Sequence, residues 1–212
     1  MPLLDFLRVG HLKYSLYELT QKYIHGDYAK QRKILLRELE THAARAPGRA
    51  APRVLELACG GGSLAGIFPP DIYLGIDAST ERVKAARLNH PEHHFEACDV
   101  TSPGFDAHIA GADFIFCHGL LHHIDDASCR ALVLKSQRLA KKPATFVVIE
   151  PLLAAPWENP GGYLVAKMDE GYFFRTAEGY RDFFRDLDLR LDSFSLFPRL
   201  PLQMEVYIVR FD

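Results

Sequence analysis

Five short runs rich in β-branched and aromatic residues constrain this chain most: VLELAC at 54–59, IYLGID at 72–77, HFEACD at 94–99, DFIFCH at 113–118 and TFVVIE at 145–150. Stretches with helical spacing separate them, and strand followed by helix, repeated, closes as a parallel sheet. The runs are nearly continuous in apolar residues, which fits strands covered by helices on both faces. An α/β, doubly wound sheet is therefore expected. After the fifth run the rhythm changes. Residues 152–175 form a Pro-, Gly- and aromatic-rich insertion, Thr176–Arg185 reads as a helix, and two strands follow at about 188–197 and 203–211. The connection Pro198-Arg199-Leu200-Pro201 is short enough for a hairpin, which makes the last of seven strands antiparallel to its neighbours.

Ahead of the sheet, apolar residues at helical spacing (Leu16, Leu19 and Tyr23, then Ile34, Leu35 and Leu39) predict two helices interrupted near Gly26. Ala43–Pro52 reads as a linker into the first strand. The 212 residues thus divide into an N-terminal helical lid segment, 1–50, and one α/β domain, 51–212. The basic residues Lys30, Arg32, Lys33 and Arg37 sit among acidic and apolar neighbours and read as a solvated helix face. With 25 Lys and Arg against 27 Asp and Glu, the chain has no general basic field to hold a nucleic-acid backbone. A small-molecule partner is favoured. No apolar run nears the roughly 18 residues of a membrane span, and no leader pattern is present, so a cytoplasmic protein is expected. Cys59, Cys98, Cys117 and Cys129 form no CxxC pair and read as reduced core thiols.

Chemistry enters with Val54-Leu55-Glu56-Leu57-Ala58-Cys59-Gly60-Gly61-Gly62-Ser63, a strand running into glycines. Glycines turn the chain sharply and let a ligand approach the backbone. Glu56, Asp77 and Asp99 lie at or near the ends of the first three strands, along the carboxyl edge where open α/β sheets bind ligands. In that order, the three carboxylates suit an amino group, a pair of ribose hydroxyls and an adenine amino group.

The segment resembles the (D/E)xGxGxG signature of class I S-adenosylmethionine methyltransferases, written here Glu56-x-Ala58-x-Gly60-x-Gly62, with Ala58 in a glycine position. GIDAS at 75–79, EACDV at 96–100 and FCHGLLHHIDD at 116–126 are similar to further motifs of that family. The resemblance covers roughly residues 53–151. It implies a Rossmann-like fold and S-adenosylmethionine as cofactor. By it, Gly60 and Gly62 flank the methionyl tail, Asp77 binds ribose, Ala78 packs on adenine, Asp99 and the backbone of Val100 meet the adenine edge, and Cys117 and His118 lie beneath the methyl donor.

On the acceptor side, His118, His122 and His123 stand where a proton acceptor is useful, and His118 and His122 are the candidate catalytic bases. A metal reading of His122 and His123 with Asp125 and Asp126 fails, because adjacent helical residues do not share a face; one of the two acids is more simply a helix N-cap. His90, His93 and His94 read as a surface cluster. Tyr14, Tyr17 and Tyr23 in the N-terminal helices, and Trp157, Tyr163, Met168, Tyr172 and Phe173 in the insertion, are the candidate walls of an acceptor pocket. Met168–Thr176 resembles a DRG-F/Y-x-R segment of some bacterial small-molecule methyltransferases. There Arg175 either anchors the insertion or meets an anionic acceptor group. The expected reaction is methyl transfer to oxygen or nitrogen of a small molecule. Two other readings compete with it: a catalytically idle cofactor-binding partner, and a short-chain dehydrogenase suggested by the YxxxK pattern of Tyr163–Lys167. Against the dehydrogenase stand its different glycine-turn spacing, its expected strand almost at the N-terminus, and the further parallel strand that should follow the tyrosine where this chain has a closing hairpin.

Overall fold

The computed structural model describes residues 28–153, 155–168, 171–185, 187, 189–196 and 203–212. Within these, helix α1 (Ala29–Arg45) leads into strand β1 (Val54–Leu57), followed by β2 (Tyr73–Asp77), α2 (Thr80–Asn89), β3 (His94–Ala97), α3 (Phe105–Ala110), β4 (Phe114–His118), α4 (Asp126–Leu139) and β5 (Ala144–Pro151). The chain then forms α5 (Pro160–Met168), α6 (Ala177–Arg181), β6 (Arg190–Ser195) and β7 (Met204–Phe211). The strands form one seven-stranded sheet in the order β3-β2-β1-β4-β5-β7-β6. Strands β1 to β5 run parallel, and β7 is antiparallel to both β5 and β6.

Because successive strand residues point to opposite faces, the near-continuous apolar runs supply two cores. Leu55, Leu57, Ile115, Cys117, Phe146 and Val148 meet Ile109 of α3, Leu132 and Val133 of α4, and Tyr180 of α6 on one face. Val54, Phe114, Phe116, Val147 and Ile149 meet Ile34 and Leu35 of α1, and Val83 and Ala86 of α2, on the other. Each fully buried Leu, Ile or Phe contributes about 1.5–3 kcal/mol. A polar residue within these strands is therefore costly unless its partner is close at hand.

The structure moves several sequence-based boundaries. Helix α1 continues through Ala43 to Arg45, the first three residues of the expected linker, because His42 is buried against Thr145, Nδ1 to Oγ1 3.1 Å, and Arg45 reaches the same hydroxyl at 3.2 Å. The expected helix 176–185 is helical only to Arg181. Asp182–Arg185 turn away from it and bury Phe183 and Phe184. Of the basic residues expected on a solvated face, Lys30, Lys33 and Arg37 are exposed, but Arg32 donates to the Ser63 carbonyl at 3.1 Å. The expected helix break near Gly26 and the turn Pro198-Arg199-Leu200-Pro201 lie outside the described residues. Among the described residues no helix is long and apolar enough to cross a membrane.

Candidate functional site

The loop leaving β1 takes three residues through positive φ: Ala58 at 56°, Gly60 at 54° and Gly62 at 81°. Alanine at such an angle is strained, and glycine is not. The turn is held by Cys59 N to Ile76 O (2.9 Å), Gly62 N to Cys59 O (2.9 Å) and Ala65 N to Gly62 O (3.0 Å). It is also braced from outside: Asn89 of α2 donates to the Gly61 carbonyl at 3.0 Å, and Arg32 of α1 holds Ser63. A side chain at Gly62 would sit 3.0 Å from the His90 ring and 3.2 Å from Phe95, so this glycine is required both by conformation and by space. His90 and His93, expected at the surface, are half-buried. His93 Nε2 lies 3.0 Å from the Phe68 carbonyl, and the pair packs beneath this loop. His94 is exposed, as a surface residue would be.

The acids on the first three strand ends behave differently. Asp77 is buried, and its two oxygens accept from Gly60 N and Ser79 N, each at 2.9 Å. It thereby ties the β1 loop to the start of α2, whose N-cap is Ser79. Ala78, next in sequence, is exposed. Asp99 is exposed, and its Oδ1 takes the amide and hydroxyl of Thr101, both at 2.8 Å; Val100 is buried beside it. Glu56 points instead into the core beneath the loop and is bonded by the Tyr73 hydroxyl. Gly75 leaves the space that lets the Tyr73 ring lie along β2, since a side chain there would meet the hydroxyl at 2.7 Å. Burial pushes the Glu56 carboxyl up to about 8, against the lowering effect of the Tyr73 bond, and the Asp77 charge adds to the rise.

Across the sheet, Cys117 is fully buried with its side chain in the core, so β4 offers only backbone there, and burial raises the thiol well above its ordinary value. His118 ends β4 half-buried, with its ring edge-on to Tyr28 at 5.3 Å. Gly119 follows at a φ of 71°. His122 and His123 lie on a separate 3-10 turn, Leu121–His123, ahead of α4, which Asp125 caps through Ser128 N at 2.8 Å. His122 is buried and His123 exposed, and their rings are 4.1 Å apart. Sequence reasoning missed the residue beneath them: Glu150 of β5 is fully buried, with Oε1 2.7 Å from the amides of both Leu120 and Leu121, and Oε2 2.8 Å from His122 Nδ1.

The insertion closes over this turn. Phe173 N donates to the His122 carbonyl at 3.0 Å. Arg175 Nη1 donates to Leu121 O (2.7 Å) and Phe173 O (2.8 Å), Nη2 to Ile124 O (2.9 Å) and Asp126 (2.6 Å), and Nε to Asp126 (2.9 Å). These contacts use all five donors of the guanidinium, which also lies 5.0 Å from the centre of the Phe183 ring. Of the two roles weighed for Arg175, these bonds make the anchor and leave no donor for an anionic acceptor. Tyr172 is 89% exposed and Trp157 83%. Tyr163 and Lys167 share one side of α5, ammonium over ring at 5.6 Å. Tyr14, Tyr17 and Tyr23 lie outside the described residues. A surface concavity lined by Arg53, Asp71, His94 and His108 sits at the amino ends of β1 to β4, away from all these groups. Among the described residues no group of three or more His, Cys, Asp or Glu is arranged to hold a metal.

A glycine loop, an acid on the second strand and a β3-β2-β1-β4-β5-β7-β6 sheet thus share one carboxyl edge. The family model described as "Methyltransferase domain" matches residues 54–143. Residues 54–143 form a methyltransferase domain. No curated protein sequence matches the chain. Among solved structures, an S-adenosylmethionine-dependent methyltransferase from Clostridium acetobutylicum ATCC 824 is similar at a TM-score of 0.68 and 13% identity, covering 93% of this chain and 98% of that one. Magnesium protoporphyrin IX methyltransferase from Synechocystis PCC 6803, with bound S-adenosylhomocysteine, gives 0.62 and 14%, covering 91% and 87%. The plantazolicin methyltransferase BpumL, in complex with a pentazolic desmethylPZN analog and S-adenosylhomocysteine, gives 0.64 and 12%, covering 92% and 91%. At such identities these likenesses establish the fold.

The residues present suit S-adenosylmethionine, the cofactor that the sequence resemblance implies. Nothing lies within 4 Å of where a Gly60 side chain would begin, so the loop backbone is open on that side. Asp77 and Asp99 each retain lone pairs beyond the bonds they accept, and the donor carries hydroxyls, amino groups and positive charge for such carboxylates.

Proposed function

We propose that the methyltransferase transfers a methyl group to oxygen or nitrogen of a small-molecule acceptor at the carboxyl edge of the sheet, between the β1 loop and the His122 turn. When bound, S-adenosylmethionine would supply an electrophilic methyl group and leave as a neutral thioether; the chain's own part is to align the acceptor's lone pair in line with that methyl and to take up the acceptor's proton on a base. On the donor side, Gly60 and Gly62 with Ala58 take the methionyl tail, Asp77 the ribose, Ala78 the adenine face, and Asp99 and Val100 its edge. Glu56 lies beneath the methionyl end, and the backbone of Cys117 with His118 forms the floor.

On the acceptor side, His122 is the base and His118 the alternative. His123 and the exposed Tyr172 wall the acceptor, together with Tyr14 and Tyr17 of a lid segment that precedes α1, since α1 itself is packed on the sheet. Residues 51–212 are the catalytic domain. The single observation that carries the reading is the tie between Gly60 N and Asp77, 2.9 Å, beneath an open loop backbone. Apolar surface at Trp157, Tyr172 and Phe173 supports an acceptor with apolar or planar parts. Two neighbours named for magnesium protoporphyrin IX and plantazolicin are consistent with such acceptors. The charge balance supports an acceptor other than nucleic acid, and four free thiols support the cytoplasm.

Incubation with methyl-labelled S-adenosylmethionine and fractionated small-molecule extract tests the proposal. Label should enter one or a few small products with the wild type and fall at least ~30-fold with Asp77→Ala, given about 1.5–3 kcal/mol for each hydrogen bond to a charged group. Binding of the donor with no labelled product in any fraction would favour the idle cofactor-binding partner instead.

A further inference from the structure

The candidate base of the proposed reaction is held by a carboxylate to which that reading gives no role. Glu150 is the penultimate residue of β5 and is wholly buried. An isolated carboxylate removed from water is strongly unfavourable. Of the other buried glutamates of this sheet and its covering helix, Glu205 and Glu38 lie beside Arg181 and Arg210, whereas Glu56 is bonded by the Tyr73 hydroxyl and its carboxyl is raised by burial. Among the described residues, the hydrogen-bond donors to Glu150 are two backbone amides at 2.7 Å and the His122 imidazole at 2.8 Å. Two amide N–H groups converging on Oε1 are donors of the kind a carboxylate accepts. A carboxylate only accepts, so the proton between Oε2 and the ring resides on Nδ1. The ring's proton-accepting nitrogen is then Nε2.

The ring is fixed from its other sides as well. Its Cε1 lies 3.4 Å from where a Gly119 side chain would begin, which sets it against the exit of β4 at the carboxyl edge. Phe174 of the insertion packs on it at 4.7 Å between centroids.

We infer that Glu150 is a positioning residue: it holds His122 as the Nδ1–H tautomer, so that Nε2 takes the proton the acceptor loses. The imidazolium formed in that step keeps its Nδ1–H on Glu150, whose negative charge offsets the new positive one. The inference rests on the proposed function for the identity of the proton donor, but the tautomer is a property of the protein alone. Glu150→Gln preserves the shape of the site and reverses the proton. Its amide oxygen accepts from Leu120 and Leu121, and its NH2 then donates to Nδ1, forcing the ring hydrogen to Nε2.

The test is long-range 1H–15N correlation on 15N-histidine-labelled full-length protein at pH 8 with saturating S-adenosylhomocysteine, with His122 assigned by its loss in His122→Asn. The wild type should show Nδ1–H, and E150Q should show Nε2–H while binding S-adenosylhomocysteine within about twofold of the wild type, since no donor contact is altered. A wild-type Nε2–H ring, or a folded E150Q that keeps Nδ1–H, would overturn the inference. Should E150Q not fold, the wild-type spectrum decides alone. The expected tautomers in a wild type that does not bind S-adenosylhomocysteine would support the Glu150 role and count against the donor site.

Discussion

The two halves of the carboxyl edge are built in different ways. On the β1–β2 side, backbone does most of the work. Three residues at positive φ, an aspartate bridging Gly60 and Ser79, and a glycine that admits the Tyr73 ring all lie within 23 residues of one another, between Ala58 and Thr80. On the β4–β5 side, side chains from remote segments converge: Glu150 reaches back 28 residues to His122, and Arg175 reaches 54 residues to Leu121. The proposed donor side is thus one local turn. The acceptor side is assembled from pieces that sequence can vary separately, as expected where one fold serves many substrates. The difference predicts that the halves can be damaged independently.

Arg175→Ala is the largest such test. It removes every bond of a guanidinium whose side chain is 10% exposed and leaves the Leu121 and Ile124 carbonyls only longer contacts, from Ile124 N at 3.4 Å and Cys129 Sγ at 3.6 and 3.7 Å, at a cost of about 3–4 kcal/mol. The melting temperature should fall by roughly 6–16 °C at ~2–4 °C per kcal/mol, with the S-adenosylhomocysteine dissociation constant unchanged. A parallel loss of donor affinity would mean the halves are one unit. Glu56→Gln is smaller and acts on the donor side. With its carboxyl raised from 4.5 to about 8, the folded protein keeps a proton that the unfolded chain has lost, so stability declines as pH rises through that window and stays low above it. The amide has no such dependence. The variant should gain stability relative to the wild type between pH 5 and pH 9, as chemical denaturation at the two pH values would show. Equal differences at both would place an ionised Glu56 in the folded protein at neutral pH.

The unequal construction also explains what the sequence revealed. Strand positions, sheet direction and the closing hairpin follow from apolar runs whose periodicity is local, and β1 to β5 lie within two residues of expectation at either end. The glycine loop and Asp77 follow from local chemistry in the same way. Glu56 was placed on the correct strand, but its partner was not foreseen, because Tyr73 reaches it only by lying along a neighbouring strand over Gly75. Glu150 was missed although its signal was present: an acid ending an otherwise apolar strand, as in the VLELAC run that holds Glu56, and that rule was not extended to the fifth strand. Arg175 could be read two ways because three of its four acceptors are backbone carbonyls, which carry no mark in the sequence. The end of α1 was underestimated for a similar reason, since its last turn is held by His42 and Arg45 bonding to a strand 100 residues away.

Calorimetric titration of S-adenosylhomocysteine into the purified full-length chain and into Asp77→Ala tests the central claim most directly. The account predicts micromolar binding to the wild type, weakened about 30-fold or more in the variant, and no heat from NAD or NADP. A wild type silent toward S-adenosylhomocysteine, or an Asp77→Ala protein that binds it as well as the wild type does, would contradict the placement of the donor on the β1–β2 edge.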